Sequence, residues 1–407
     1  MKKIKFLMIA MMAFTVCTTF TACGDDKDND KTPVVIDDNG DNDDEPQTTP
    51  SSNYDRYQQA VNTIVNSQKK NDKVILVVAF GSTWEQAYDT FEKVVEDYKS
   101  QFSGWDVFLS FSSAICINNA RAGENVASRD FYDPEHFLTA IGLAGYKKII
   151  VQSLQVIPGE EFRRVRDTYV KDFMNNRNGD FTDAYMKSLD LNVVVGTPLM
   201  AEESDTEALA KVLNEESDIK AAVNEGIVAF MGHGNPEGYD YYGGNIRYLQ
   251  LEDALRKINN NYYVGTVDMD ETYAEDVLEH IAGGTFTYQV GDMTKTITYT
   301  ANNATKAQLY PLMSIAGDHA HNDMADAEDP ESWFSLFNAA GIDTKAYESN
   351  FTEACWKNTD EIKANGYIPA LAERAKVRAL WMQHTKDAIA KLGTDEAMST
   401  PTTAPEE

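Results

Sequence analysis

The chain has 407 residues, with 36 Lys and Arg against 65 Asp and Glu, four Cys, and 43% hydrophobic residues. That content supports a sizeable core and excludes a wholly disordered chain, and the length allows two domains or one large α/β unit. A formal charge of −29 disfavours nucleic acid as a partner, and four Cys cannot make a disulfide framework of the small-secreted-domain kind.

The N-terminus sets the expected compartment. Three lysines fall within Met1 to Lys5, an apolar run over Phe6 to Val16 is too short to span a bilayer, and small residues lead to Thr21-Ala22-Cys23-Gly24. That order resembles a bacterial lipoprotein signal cleaved before Cys23. It implies an exported chain, membrane-anchored through lipid on Cys23, on the periplasmic or cell-surface side. Residues 24–50 hold ten Asp and Glu and two Lys, with too little apolar surface to offset the entropy of ordering. Residues 1–22 therefore read as a signal peptide and 23–70 as an acidic disordered tether and lead-in.

From Lys73 an apolar run, a turn and an amphipathic helix repeat. Val74 to Phe80 is a continuous apolar run of the kind a strand buried on both faces requires. Gly81-Ser82-Thr83 turns it, and Ala87, Phe91, Val94, Val95 and Tyr98 fall on one face of a helix predicted over 84–99. The pattern then predicts strands over 105–111, 147–152 and 191–195, with helices over 134–143, 160–174 and 202–213. The cycle restarts at Gly226, where another apolar strand runs into Gly232-His233-Gly234. Helices are predicted over 249–258, 272–281, 332–340, 359–372 and 375–392, and strands over 262–267 and 307–315, with 344–347 continuing the alternation. Two alternating Thr- and aromatic-rich runs joined by Gly291-Asp292-Met293 predict a β-hairpin over 284–300.

Alternation of strand and helix implies parallel sheets with right-handed crossovers. The expected fold class is α/β: two similar three-layer halves, 71–222 and 223–392, with a cleft between them, the hairpin inserted in the second, and a flexible tail at 393–407. Ligand sites in such sheets lie at the carboxyl ends of strands.

The six histidines separate by context. His136, His280 and His384 sit on predicted helices with acidic or polar neighbours and read as surface or packing residues. His233 sits between two glycines at a strand end, where the backbone can approach a ligand closely. His319 and His321 lie in Gly317-Asp318-His319-Ala320-His321-Asn322-Asp323-Met324, after the strand ending near Ile315. Asp268 follows the strand that starts at Tyr262. Each has an ordinary explanation: His233 as a turn former, Asp318 and Asp323 as helix caps, Asp268 as an N-cap. Together, three polar groups after strand ends of one half can share a cleft, and two imidazoles with a carboxylate suit Co, Ni, Fe or Zn. Cys116 and Cys355 read as free buried thiols.

The segments Ile75 to Thr83, Gln152 to Glu161, Phe230 to Gly234, Pro311 to Ala325 and Asn338 to Ile342 resemble, in order, the anaerobic cobalt chelatases. These are sirohydrochlorin cobaltochelatases of the class II chelatase fold, related to ferrochelatase. The resemblance implies insertion of a divalent metal, Co²⁺ first and Fe²⁺, Ni²⁺ or Zn²⁺ as alternatives, into a tetrapyrrole, with no nucleotide. It also implies a catalytic and metal-holding set of His233, Asp268 and His319. Asp268 stands where the family has glutamate, which retracts the carboxylate by roughly 1.5 Å, one C–C bond. Gln155 stands where relatives often have histidine. Ser82, Thr83 and their backbone N–H groups are candidates to bind the tetrapyrrole's carboxylates, and Arg163, Arg164 and Arg166 to offset its charge, unless they are simply an exposed helix face. An exported tetrapyrrole- or haem-binding lipoprotein, or a metal-binding one, remains the alternative to an enzyme, and a homo-oligomer is left open.

Overall fold

Two parallel sheets with the same internal order form the framework of this computed structural model, which describes residues 53–123, 128–236, 238–348 and 351–397. The signal at 1–22, Cys23, the acidic stretch 24–50 and the end of the tail from 398 lie outside the described residues. The first sheet holds β1 (Lys73–Ala79), β2 (Asp106–Phe111), β3 (Lys148–Ser153) and β4 (Val193–Gly196), in the order β2-β1-β3-β4. The second holds β5 (Ile227–Gly232) and β6 (Tyr262–Thr266). After the antiparallel hairpin β7 (Gly284–Val290) and β8 (Met293–Tyr299) come β9 (Lys306–Pro311) and β10 (Asp343–Lys345). Its order is β10-β9-β5-β6. Within each half the spatial order is therefore second, first, third, fourth strand, and the hairpin interrupts the second half between its second and third strands.

Period-two alternation distributes the strand residues between two layers. Ile75, Val77 and Ala79 of β1 share one core with Val228 and Phe230 of β5 and with Tyr262 and Val264 of β6. The intervening Val74, Leu76 and Val78 pack on the opposite side with Phe137, Leu138 and Ile141 of the helix Pro134–Leu143. The outer face of the second sheet, Ile227, Ala229 and Met231, packs with Val277, Trp333 and Phe337, and with Tyr288, Ile297 and Tyr299 of the hairpin. The C-terminal helix Ala375–Ala390 returns to the first half. Its Thr385 hydroxyl donates to Gln152 (2.8 Å), and its Trp381 indole donates to the Gln155 carbonyl (3.3 Å).

Several local expectations change. Within the lead-in, Asn53–Gln68 is a helix whose Val61 and Val65 are fully buried. Helices at Ala114–Ala122, Asp183–Ser188 and Ser217–Glu225 are additional to the expected set. The helix expected over 160–174 contains a π segment, Arg164–Val170, between α-helical ends. The strand expected to reach 315 ends at Pro311, where proline cannot extend the ladder as a donor. The helix expected over 359–372 stops at Asn365, ahead of Gly366 at φ 81° and Pro369, and only Leu371–Glu373 resumes as a 3₁₀ turn. Cys116 and Cys355 form no disulfide with each other, and of the two only Cys116 is buried.

Candidate functional site

Three strand ends of the second sheet converge because small residues let their backbones interlock. At the end of β5, a Cβ on Gly232 would sit 2.3 Å from the Tyr248 ring. Gly234, at φ 80°, leaves no room for a Cβ beside Met269 and Thr266, both 2.9 Å away. The His233 carbonyl between them accepts from Val267 N (3.1 Å) and Asp268 N (2.9 Å), which fixes the loop after β6 against it. The Thr266 hydroxyl oxygen accepts from Met269 N (3.0 Å) and completes the turn. Asp268 is thereby held with Oδ2 3.6 Å from His233 Nδ1. The loop after β9 delivers His319, whose ring lies 4.7 Å from that of His233 at an interplanar angle of 88°.

Hydrogen bonds assign the two rings. His233 Nδ1 lies 2.7 Å from the Gly234 carbonyl, which can only accept, so Nδ1 carries the proton and Nε2 the lone pair. His319 Nδ1 lies 2.6 Å from Asp323 Oδ2, which orients it likewise. That bond to Asp323 raises the His319 pKa; burial opposes it, while the charges of Asp323, Asp268 and Asp318 reinforce it. The side chains of His233, Asp268 and His319 are 33%, 37% and 43% exposed, so the group opens to solvent. Among the described residues, no three His, Cys, Asp or Glu side chains close into a metal-ligating cluster. The three expected residues are neighbours, but Asp268 meets the His233 ring at Nδ1 rather than at the lone pair. Asp323, for which helix capping was the ordinary explanation, orients His319; its i, i+4 spacing from His319 was the available signal.

The first half contributes its own turn. Ser82, expected to meet a ligand, is 4% exposed. Its hydroxyl oxygen accepts from Trp84 N (3.1 Å) and its carbonyl accepts from Tyr88 OH (2.9 Å). Thr83 Oγ1 donates to Asp318 Oδ1 (3.4 Å), and the Trp84 indole N–H donates to the same oxygen (2.7 Å). The indole stacks on His321 at 3.6 Å and 9°. Both residues expected to hold tetrapyrrole carboxylates are thus engaged within the turn or with the second half, because the chain brings Trp84 and Asp318 there. Arg163 grips Glu160 through two hydrogen bonds and lies 4.4 Å over the Tyr241 ring, and Arg166 pairs with Asp167. Two of the three arginines therefore have structural partners. Gln155 is buried, with its backbone N–H donating to Ser153 Oγ (3.2 Å). His136 pairs with Asp133, His280 stacks on Tyr299, and His384 bonds Thr197, all packing roles.

A cavity of about 730 Å³ adjoins the Trp84 contact, walled by Trp84, Asp318, His321, Tyr347 and Trp356. Glu85, Asp326 and Glu328 also border it, without a Lys or Arg, so its chemistry favours cations over a polycarboxylate. His233, Asp268 and His319 are not among its walls.

The sequence profile of the cobalt chelatase (CbiK) family matches residues 73–390. The chain is 26% identical over 331 residues to the sirohydrochlorin cobaltochelatase of Salmonella typhimurium, covering 80% of this chain and 99% of that protein. It is 28% identical over 271 residues to the sirohydrochlorin cobaltochelatase CbiKC of Nitratidesulfovibrio vulgaris, covering 66% of this chain and 81% of that one. Among solved structures, SirB from Bacillus subtilis with Fe³⁺ aligns at a TM-score of 0.41 and 12% identity over 82% of this chain and 99% of that one, a likeness too slight to bear on function.

Proposed function

The chain belongs to the cobalt chelatase (CbiK) family, and we propose that it inserts Co²⁺ into sirohydrochlorin, the tetrapyrrole in the names of its relatives. The observation that carries this reading is the His233–His319 pair, two rings 4.7 Å apart whose Nδ1 atoms are both committed elsewhere. The metal ion is substrate. Insertion exchanges one M²⁺ for two pyrrole N–H protons, so the site must release the ion while accepting protons. Nε2 of His233 and of His319 hold the ion first; as the macrocycle nitrogens take it, each freed imidazole can accept one proton. A neutral imidazole serves either role but not both at once, which orders the steps. Asp268, beside His233 Nδ1, stabilises positive charge on that ring whether it comes from metal or proton, and Asp323 does the same for His319.

The test mixes the purified protein with sirohydrochlorin and Co²⁺ and follows the absorbance change against His233→Ala and His319→Ala. The expected result is a wild-type rate far above the uncatalysed mixture and near loss in both variants. A wild type no faster than the mixture overturns the reading. Running Fe²⁺, Ni²⁺ and Zn²⁺ in parallel ranks the metals. A second reading is an exported lipoprotein that carries tetrapyrrole or metal without turnover. The pattern leading to Cys23 and the shorter carboxylate at Asp268 favour it. In the same assay it gives a ligand-dependent spectral shift with no acceleration.

A further inference from the structure

The loop that carries His319 belongs to the second half, yet the side chains on either side of that histidine are held by one residue of the first. Asp318 accepts the Trp84 indole N–H at 2.7 Å, and His321 lies flat on the same indole at 3.6 Å. Trp84 is itself fixed: its backbone N–H donates to Ser82, and Ser82 is buried. The preceding Gly81, at φ 115°, lies so close to Cys116 and Phe111 that no side chain fits there. The turn that presents Trp84 is therefore rigid. On the receiving side, Ala320 N and His321 N both donate to the Gly317 carbonyl at 3.1 Å, which ties the loop from 317 to 321 together. Asp323 fixes how the His319 ring is rotated, and Trp84 fixes where the loop stands relative to the rest of the molecule.

From this geometry we infer that Trp84 is a positioning residue for the metal-holding site, setting the His319-to-His233 separation through Asp318 and His321. This rests on the reading of His319 as a metal-holding residue. Hydrogen bond and stacking act at two points flanking His319, so losing either lets the loop drift. A drift of a fraction of an ångström in a two-imidazole site weakens metal capture far more than it weakens folding. The consequence is a metal step that depends on correct seating of the two halves, although both rings come from the second.

The test compares wild type, Trp84→Phe, Trp84→Ala and Asp318→Ala by direct Co²⁺ titration, kcat, KM for Co²⁺ and for sirohydrochlorin, and thermal melting. Trp84→Phe keeps the stacking surface and loses the N–H, and its Co²⁺ affinity is expected to fall roughly 10-fold, as for other residues that orient a metal ligand. Trp84→Ala falls further. The Trp84→Phe/Asp318→Ala double variant is expected to lose little beyond Asp318→Ala alone, since both changes remove the same indole hydrogen bond. KM for sirohydrochlorin stays near wild type. Wild-type Co²⁺ affinity in Trp84→Ala, whether or not its melting temperature falls, overturns the inference while leaving the proposed activity standing. A wild type that neither binds Co²⁺ nor turns over removes both, and one that binds Co²⁺ without turnover still decides the inference by affinity.

Discussion

Two glycines and one acid make the histidine pair possible. Gly234 sits at φ 80° against Met269 and Thr266, so Gly234→Ala must strain the backbone and displace the β6 loop that holds Asp268. The expected cost is about 2 kcal/mol or more, measured by denaturant midpoint, with weaker Co²⁺ binding. An unchanged midpoint would show that the loop can yield. Asp323→Asn leaves the His319 ring with a poorer, uncharged acceptor. Co²⁺ affinity should drop by roughly 10–100-fold while the melting temperature moves little, and equal affinity would remove Asp323 from the site. His233, Asp268 and His319 could be picked out in the sequence because each follows a strand end. Trp84 could not, since its importance comes from residues more than two hundred positions away.

Among the elements, the hairpin shows what was readable in the sequence and what was not. Its strands and turn follow from Thr and aromatic alternation around Gly291, and it forms where expected. Its anchorage does not follow. Tyr299 of β8 donates to Glu252 Oε2 (3.0 Å), and Glu252, on the helix Ile246–Arg256, is 1% exposed. Burial pushes the Glu252 carboxyl up to about 8, although the Tyr299 hydrogen bond and the Arg256 charge pull the other way. The folded chain therefore holds this proton more tightly than the unfolded chain. The associated stability is present below the ordinary carboxyl pKa and is lost as pH rises to about 8. Glu252→Gln has no such titration, so the wild-type advantage in melting temperature should shrink, or reverse, between pH 5 and pH 8.5. A difference that stays constant would contradict the buried-carboxyl account. The opening helix Asn53–Gln68 was hidden differently. Tyr57, Val61, Ile64 and Val65 do fall at helical spacing, but the acidic composition just before them masks it.

The duplicated alternation of strand and helix was the most readable feature of the whole molecule, because buried parallel strands write themselves as unbroken apolar runs; the order of the strands within each sheet was not. The halves share an apolar core, but the polar contacts that also join them are long-range, and so were not readable. Arg374, 1% exposed, donates to both carboxylate oxygens of Asp218 (2.9 and 2.8 Å) and to Glu216 (3.4 Å), where the chain enters the C-terminal helix that returns to the first half. Arg374→Ala strands the buried Glu216 and the partly buried Asp218 and should cost about 3–5 kcal/mol. That loss is read as a fall in melting temperature of the whole unit, and a loss confined to the last helix would show the halves to be independent. The central proposal concerns a single point in this assembly, where Nε2 of His233 and Nε2 of His319 would hold one ion together. Cobalt X-ray absorption on the Co²⁺-loaded protein tests it most directly. The account predicts two imidazole ligands in wild type and one in either His233→Ala or His319→Ala, and a spectrum unchanged by both substitutions would contradict it.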